Sequence, residues 1–459
     1  MKNIKFYIMS LGLFLALSCD DNLDLAPLSQ LSSSNFYQTE ADFEQAIIGV
    51  YSGLRNEFNN IYVFGDIRSD NTVPVISGSV TTLQDFDNFT IDPSNSIISS
   101  QWRNAYINLS RANIILDKID GVDIDESVKN RIKGEALFAR GVVYLNLVRI
   151  YGNVPLVLTE ISALEALEFP QSSPDAVYAQ VVADLSAATG LLPVSYGGSD
   201  IGRATSIAAN AVLGRAQLTN GNYAAAETAL RAVTAMESGG TVSLLPDFAD
   251  VFDTSNEYNA EIIFATRFAN DGINGNGFNY GFANALEPNN KATGTTLFDA
   301  YEVGDLRRDL TLNTTAAPGE ILTYKYGPPG DNGHGESDWP VIRYSDVLLM
   351  LSEALNEQGY TANGEAFTLL NRIRNRAGLA DLTSATITNQ ADFRLAMEQE
   401  RRAELASEGH RWFDLVRTGR YEALLGSMGA KSTSNLFPIP LGEIVKINDP
   451  SILTQNPGY

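Results

Sequence analysis

Apolar residues recur along most of this chain at the spacing of an α-helix. Phe43, Ile47, Val50 and Leu54 fall at i, i+4, i+7 and i+11, one stripe on one helix. Trp102, Tyr106, Leu109 and Asn113 repeat that spacing between residues 102 and 119. From Lys133 to Tyr151, the residues Leu137, Gly141, Tyr144, Leu145 and Val148 make a broad apolar face, and Gly152 suits its C-terminal stop. Ser173-Pro174 reads as an N-cap with a first-turn proline, continued by Val177, Val181 and Leu185. Further helices are expected over Val341 to Asn356, Ala366 to Ala377, and Ala391 to Glu408, the last closed by Gly409.

Between Gly202 and Ser238 the pattern is more specific. Leu213-Gly214, Gly221-Asn222-Tyr223, Ala226 and Leu230 stand at the offsets of a tetratricopeptide (TPR) unit. Small residues let two antiparallel helices approach closely, and Gly221 makes their turn. The unit's usual proline would fall at Ser238 and is absent, so the repeat is TPR-like. Phe248 to Trp339 breaks the helical pattern, with runs such as Asn270 to Gly281 and Tyr326-Gly327-Pro328-Pro329-Gly330. A stretch that long is usually functional. It is expected to form short strands and loops projecting from an all-α scaffold.

The N-terminus reads differently. Lys2 and Lys5 precede a short apolar run from Phe6 to Leu17, then Ala16 and Ser18 supply small residues before Cys19, the single cysteine. About 20 apolar residues are needed to cross a bilayer, so residues 1–18 read as a signal peptide. Cys19 at the cleavage point resembles the lipobox of bacterial lipoproteins, although Ala16 stands where leucine is most usual. An ordinary signal peptide with an incidental cysteine is the alternative. Residues 19–34 then form anchor and leader, and 35–459 the body, with TPR-like helices over about 35–245 and 341–420 and the insertion over about 248–340.

Charge narrows the function. The chain holds 32 Lys and Arg against 55 Asp and Glu, a net −23, and losing Lys2 and Lys5 makes it −25. Such a surface repels phosphate backbones, which argues against nucleic acid, and a polyanionic ligand would need a local basic patch. One cysteine and two histidines, His334 and His410, leave little for a Cys–His dyad, a His-based metal site or a Ser-His-Asp triad. No cofactor is expected. Two carboxylates suffice for a glycosidase, but the arginines interleaved through Glu398 to Glu408 fit an ion-pair network that fixes helix packing.

Several segments together resemble the RagB/SusD family of nutrient-uptake lipoproteins. They are Cys19 with Leu23-Asp24 and Pro27; Gly65-Asp66 with Ser69-Asp70-Asn71; Trp102 to Asn113; and Gly134 to Pro155. Gly202 to Thr205, Leu297 to Asp299 with Asp305 to Arg308, Trp339 to Glu357, Glu400 to Arg417, and Pro438 through Tyr459 continue the set. The resemblance implies a SusD-like, TPR-like helical fold without catalysis, lipid-anchored in the outer membrane and facing the exterior. It implies an oligosaccharide or polysaccharide ligand, or in some members a peptide, delivered to a SusC-like TonB-dependent transporter. A lipid-anchored glycosidase is the reading from a different class.

Sugar rings stack on aromatic faces, and amides pair their hydroxyls. Phe278, Tyr280 and Phe282 alternate, so a strand would turn all three to one side, with Asn276, Asn279 and Asn284 beside them. Tyr324 and Tyr326 alternate around Lys325. These residues, with Trp339 and the loop residue His334, are the candidate ligand contacts, and the Gly65–Asn88 loops are the fallback. Packing beneath the loops is the competing role for each ring.

Overall fold

The computed structural model describes residues 36–74, 81–271, 273–287, 296–313, 321–327 and 335–459. The signal segment, Cys19, the leader and His334 lie outside them. The fold is mostly helical, 57% helix against 6% strand. Among the described residues no helix is long and apolar enough to cross a membrane.

Helix α1 (Glu40–Phe58) starts on a capping box in which Thr39 and Asp42 each accept the other's backbone N–H. Its stripe Phe43, Ile47, Val50 and Leu54 is fully buried against α2 (Ser96–Lys118) and α3 (Glu126–Tyr151). Helix α3 begins seven residues earlier than its apolar face suggests. Asp125 caps it by accepting from Ser127 and Val128, and the first turns are polar, so periodicity alone misses them. From Gly134 onward it is buried almost all round, and it stops at Gly152, whose φ of 70° favours glycine. Helix α4 (Pro174–Leu191) is capped by Ser173.

Helices α5 (Ser206–Thr219) and α6 (Tyr223–Thr234) form the TPR-like hairpin, turning at Gly221 with φ 76°. A Cβ on Gly214 would sit 2.5 Å from Leu230 Cδ2, which is why a small residue stands there. Helix α6 packs on α7 (Tyr344–Gln358), and α7 on α8 (Glu365–Arg376) and α9 (Gln390–Glu404).

Two further helix boundaries differ from expectation. Trp339–Arg343 is a fully buried strand, antiparallel to Ile262–Thr266, rather than the start of α7. Helix α9 stops at Glu404, and residues 405–409 turn back with Ser407 and Gly409 at positive φ. That turn exposes carbonyls to cations from elsewhere in the chain.

Those cations meet at Glu404. Arg343 reaches its Oε1 at 2.6 Å, Arg307 its Oε2 at 3.0 Å, and Arg376 pairs with it as well. Arg343 also donates to Glu408 and Glu261, and Arg307 to Asp305 and Glu400. Lys325 Nζ caps the carbonyls of Glu404 and Ala406 at 3.1 and 2.9 Å. Next to this cluster, Arg401 bridges Asp346 and Asp414. The acids and arginines of 398–408 thus pair mainly with other elements.

Removing Arg343 takes one cationic partner from each of three buried carboxylates, Glu261, Glu404 and Glu408. Arg343→Ala should therefore cost about 3–5 kcal/mol in denaturant unfolding, and a loss under 1 kcal/mol would refute the central role. Its surrounding arginines hold Glu404 well below the ordinary 4.5. Stability from that group is present above this value and fades as pH falls toward the folded one, so the Arg343→Ala penalty should shrink in acid.

Glu57 behaves oppositely. It is fully buried between α1 and α3, accepts one hydrogen bond from Asn146 at 2.8 Å, and burial pushes its carboxyl up to about 8. The folded state holds the proton, so this group's stabilisation is full below about 4.5 and is lost as pH rises through 8. Glu57→Gln should therefore gain melting temperature over the parent progressively from about pH 5 to 8 and level off above. A pH-independent difference would disprove the buried protonated state.

Candidate functional site

Two short antiparallel strand pairs organise the insertion, one joining it to a segment outside it and one internal. Val73–Pro74 pairs antiparallel with Leu286–Glu287, and Leu312–Asn313 with Leu322–Thr323, the two pairs side by side. The segments 75–80, 288–295 and 314–320, outside the described residues, are joined at these strand ends. Segment 328–334 connects the turn at Tyr326 to Gly335. The turn at residues 276–285 packs beside the strands Leu286–Glu287 and Leu322–Thr323, and its outer surface is the loop face.

Asn276 fixes that turn. It exchanges both backbone hydrogen bonds with Gly335, at 2.8 and 3.1 Å. Its side chain donates to Ser337 O at 2.8 Å and accepts from Asn279 N at 3.1 Å. A Cβ on Gly335 would lie 2.3 Å from the Asn276 carboxamide oxygen, so glycine is required there. Asn59, beyond the end of α1, accepts from Gly277 N at 3.1 Å.

Beyond Asn276 the chain is helical, not extended. Phe278–Tyr280 is one α turn, followed by a π turn over Gly281–Ala285. In a helix, residues four apart share a face while residues two apart point roughly opposite ways. Phe278 and Phe282 therefore both turn inward, at 0% and 1% exposure, and Tyr280 turns out at 37%. The three do not line one side as a strand would place them.

The inward rings join a buried cluster. Phe278 lies 5.0 Å from both Tyr326 and Trp339, and Phe282 5.1 Å from Tyr62. Tyr326 stacks on Trp339 at 5.9 Å and donates its hydroxyl to Ser407 O at 2.9 Å. Asn279, also buried, donates to Tyr326 O at 3.2 Å. Phe278, Phe282, Tyr326, Trp339 and Asn279 thus form the wall behind the face, with no free surface for a ligand. Tyr324 and Tyr326 do not alternate around Lys325 either: residues 325 and 326 form a turn that buries both, leaving Tyr324 half-buried. Burial pulls Lys325 down to about 8, against the pull of Glu408.

The fallback segment is equally structural at its start. Gly65 packs on the Gly409 backbone, Asp66 accepts from Gly409 N at 2.8 Å, and Asp70 receives Arg411 at 2.7 and 2.9 Å. His410 is buried and held down to about 4 by desolvation, hence neutral near pH 7. Of the candidate contacts, Tyr280 and Tyr324 keep exposed surface. The sequence reading missed Tyr62, which braces Phe282, and the exposed Tyr258, whose ring carries Arg267 at 4.3 Å. The turn-rich Asn256-Glu257-Tyr258-Asn259 was the available signal for the latter.

Two family descriptions match residues 21–459 between them: "Starch-binding associating with outer membrane" over residues 21–218, and "SusD family" over 219–459. The SusD-like protein P25 of Formosa agariphila is 30% identical over 91% of this chain and 90% of its own. Among solved structures, a laminarin binding SusD-like protein is 29% identical with a TM-score of 0.78, covering 92% of this chain and 100% of that one. Surface glycan-binding protein A from Bacteroides thetaiotaomicron, solved with laminarihexaose, shares the fold at a TM-score of 0.76 and 21% identity, covering 91% of this chain and 99% of that one. The chain belongs to the SusD family of outer-membrane-associated glycan-binding proteins.

Proposed function

We propose that this protein is a lipid-anchored surface receptor that captures oligosaccharide on the loop face and hands it to a SusC-like TonB-dependent transporter, without hydrolysing it. The observation that carries the reading is Tyr280, an exposed ring on a turn locked by two fully buried phenylalanines. An aromatic face held this way stacks on a sugar without first losing rotamer freedom, so little ordering cost opposes binding. Tyr324, half-buried, is a second candidate ring. The name of one solved relative makes laminarin the first glucan to test. Anchoring follows from Cys19 behind its apolar run, since several acyl chains at about 0.8 kcal/mol per buried CH₂ hold firmly.

Tyr280→Ala should weaken laminarihexaose retention in affinity gels while leaving the melting temperature nearly unchanged. Phe278→Ala, by contrast, should cost about 3–5 kcal/mol of stability, because it opens a cavity in the aromatic cluster. Undiminished binding by a folded Tyr280→Ala protein would remove the ring from the site, and release of shorter sugars would restore the glycosidase reading.

Cys19→Ala should leave the body folded and release it from the outer-membrane fraction, or stall its processing. Membrane association unchanged by the substitution and by globomycin would end the lipoprotein assignment.

A further inference from the structure

A groove of about 540 Å³ runs along α2. Trp102 and Ile107 line it from α2, Val157 and Ile161 from the segment after α3, and Ile447 from the helix Leu441–Ile447. Ile107 is 46% exposed there, and none of the candidate sugar contacts belongs to this groove.

The walls are fixed before anything enters. Tyr106 donates its hydroxyl to Pro155 O at 2.9 Å, and Tyr144 donates to Val157 O at 2.7 Å. The Asn113 amide donates to the carbonyls of Val157 and Thr159 at 3.0 and 3.3 Å. With these polar groups paired to one another, the surface left for an occupant is mainly apolar side chain. An open apolar groove of this size marks an interaction site.

The chain itself arrives at one end of it. Tyr37, one residue into the described body, packs half-buried on the core and feels the charges of Glu160 and Arg111. Arg111 lines the groove, and Glu160 stands between Thr159 and Ile161, which line it too. From Arg111 to Trp102 the helix runs about 14 Å, whereas residues 20–35, fully extended, would reach about 50 Å. The leader is thus long enough to cover the groove and starts beside it.

Its sequence also suits the groove. Leu25, Leu28 and Leu31 recur at every third position, and a polyproline-II ribbon, which Pro27 favours, turns every third residue to one side. Asp20, Asp21 and Asp24 lie at the end away from Phe36. Arg103, at the end of the groove away from Arg111, forms no ion pair among the described residues. Apolar pattern and charge therefore agree on one direction.

We propose that residues 24–31 of the leader occupy this groove, with Leu25, Leu28 and Leu31 turned inward and Asp24 toward Arg103. Seating them shortens the tether. Between the groove and Cys19 only residues 20–23 remain, about 15 Å of chain, so the body is held close to its anchor on the α2 side. The docking does not depend on acylation of Cys19; the short tether rests on that part of the receptor reading.

Disulfide trapping tests it in the full mature chain carrying Cys19→Ser, whose only thiols are then the two introduced. Leu28→Cys is paired with Ile107→Cys in one protein and with Ile48→Cys in another. Ile48, 57% exposed on α1, lies within the roughly 26 Å that a free residue 28 could range from Phe36. A seated leader should close the Ile107 bond at least about tenfold faster than the Ile48 bond under mild oxidation, and equal rates would overturn the proposal. Hydrogen exchange of the same chain without the introduced thiols should be slowed about tenfold or more over residues 25–31, and Leu28→Asp or Ile107→Asp should abolish that protection. Absence of protection would mean the groove is open to some other protein, and a dimer in sedimentation that Ile107→Asp dissolves would assign it to a second copy; either result overturns the proposal. Because these proteins carry no lipid, failure here would leave the anchor standing, and failure of the globomycin test would leave the docking standing.

Discussion

The carboxylate of Glu404 is the point on which the rest of the molecule is hung. Three guanidiniums converge on it, from the strand after the insertion, from the insertion itself and from α8. All are buried, so none is worth much as a net source of stability, because desolvation offsets the Coulombic gain. Their effect is on position. An uncompensated charge inside the protein costs several kcal/mol, so the insertion has one docking geometry in which every charge is paired. Sliding it by one residue would strand Arg307 or Lys325.

That constraint propagates to the face in short steps. Lys325, tied to the carbonyls of the turn after α9, fixes the chain at Tyr326. Tyr326 bonds the same turn and receives Asn279, so the helical turn carrying Phe278, Tyr280 and Phe282 is set against the scaffold. The loop face is therefore rigid at its base although it is built from connections. Rigidity there matters for a receptor, since every side chain ordered before binding is entropy not lost during it.

Periodicity made the scaffold legible. Stripes such as Phe43, Ile47, Val50 and Leu54 are buried because a helix repeats every 3.6 residues, and Ser173, Gly152 and Gly221 mark real caps and turns. The candidate site was harder to read. Three aromatics at i, i+2 and i+4 satisfy a strand by alternation, yet their first and last members also share a helical face, and five residues are too few to separate the two periods. Val341 to Arg343 failed in the other direction, read as the start of a helix but part of the buried strand Trp339–Arg343. The interleaved arginines and acids over 398–408 do form an ion-pair network, but the partners they take there are not legible, because Arg307 and Arg343 stand roughly 100 and 60 positions away.

Net charge misleads in a similar way about ligands. At −23 the chain looks unsuited to anything acidic. The Debye length at physiological ionic strength is about 8 Å, so most of those charges are screened from any one surface point. What a ligand meets is the local set of groups. Around Arg203 the carboxylates of Asp200, Glu135 and Glu44 stand against one guanidinium, and around Arg267 those of Glu257 and Asp338 do. Local charge is therefore set by which side chains pair, and the overall charge of the chain does not decide what one point of its surface can bind.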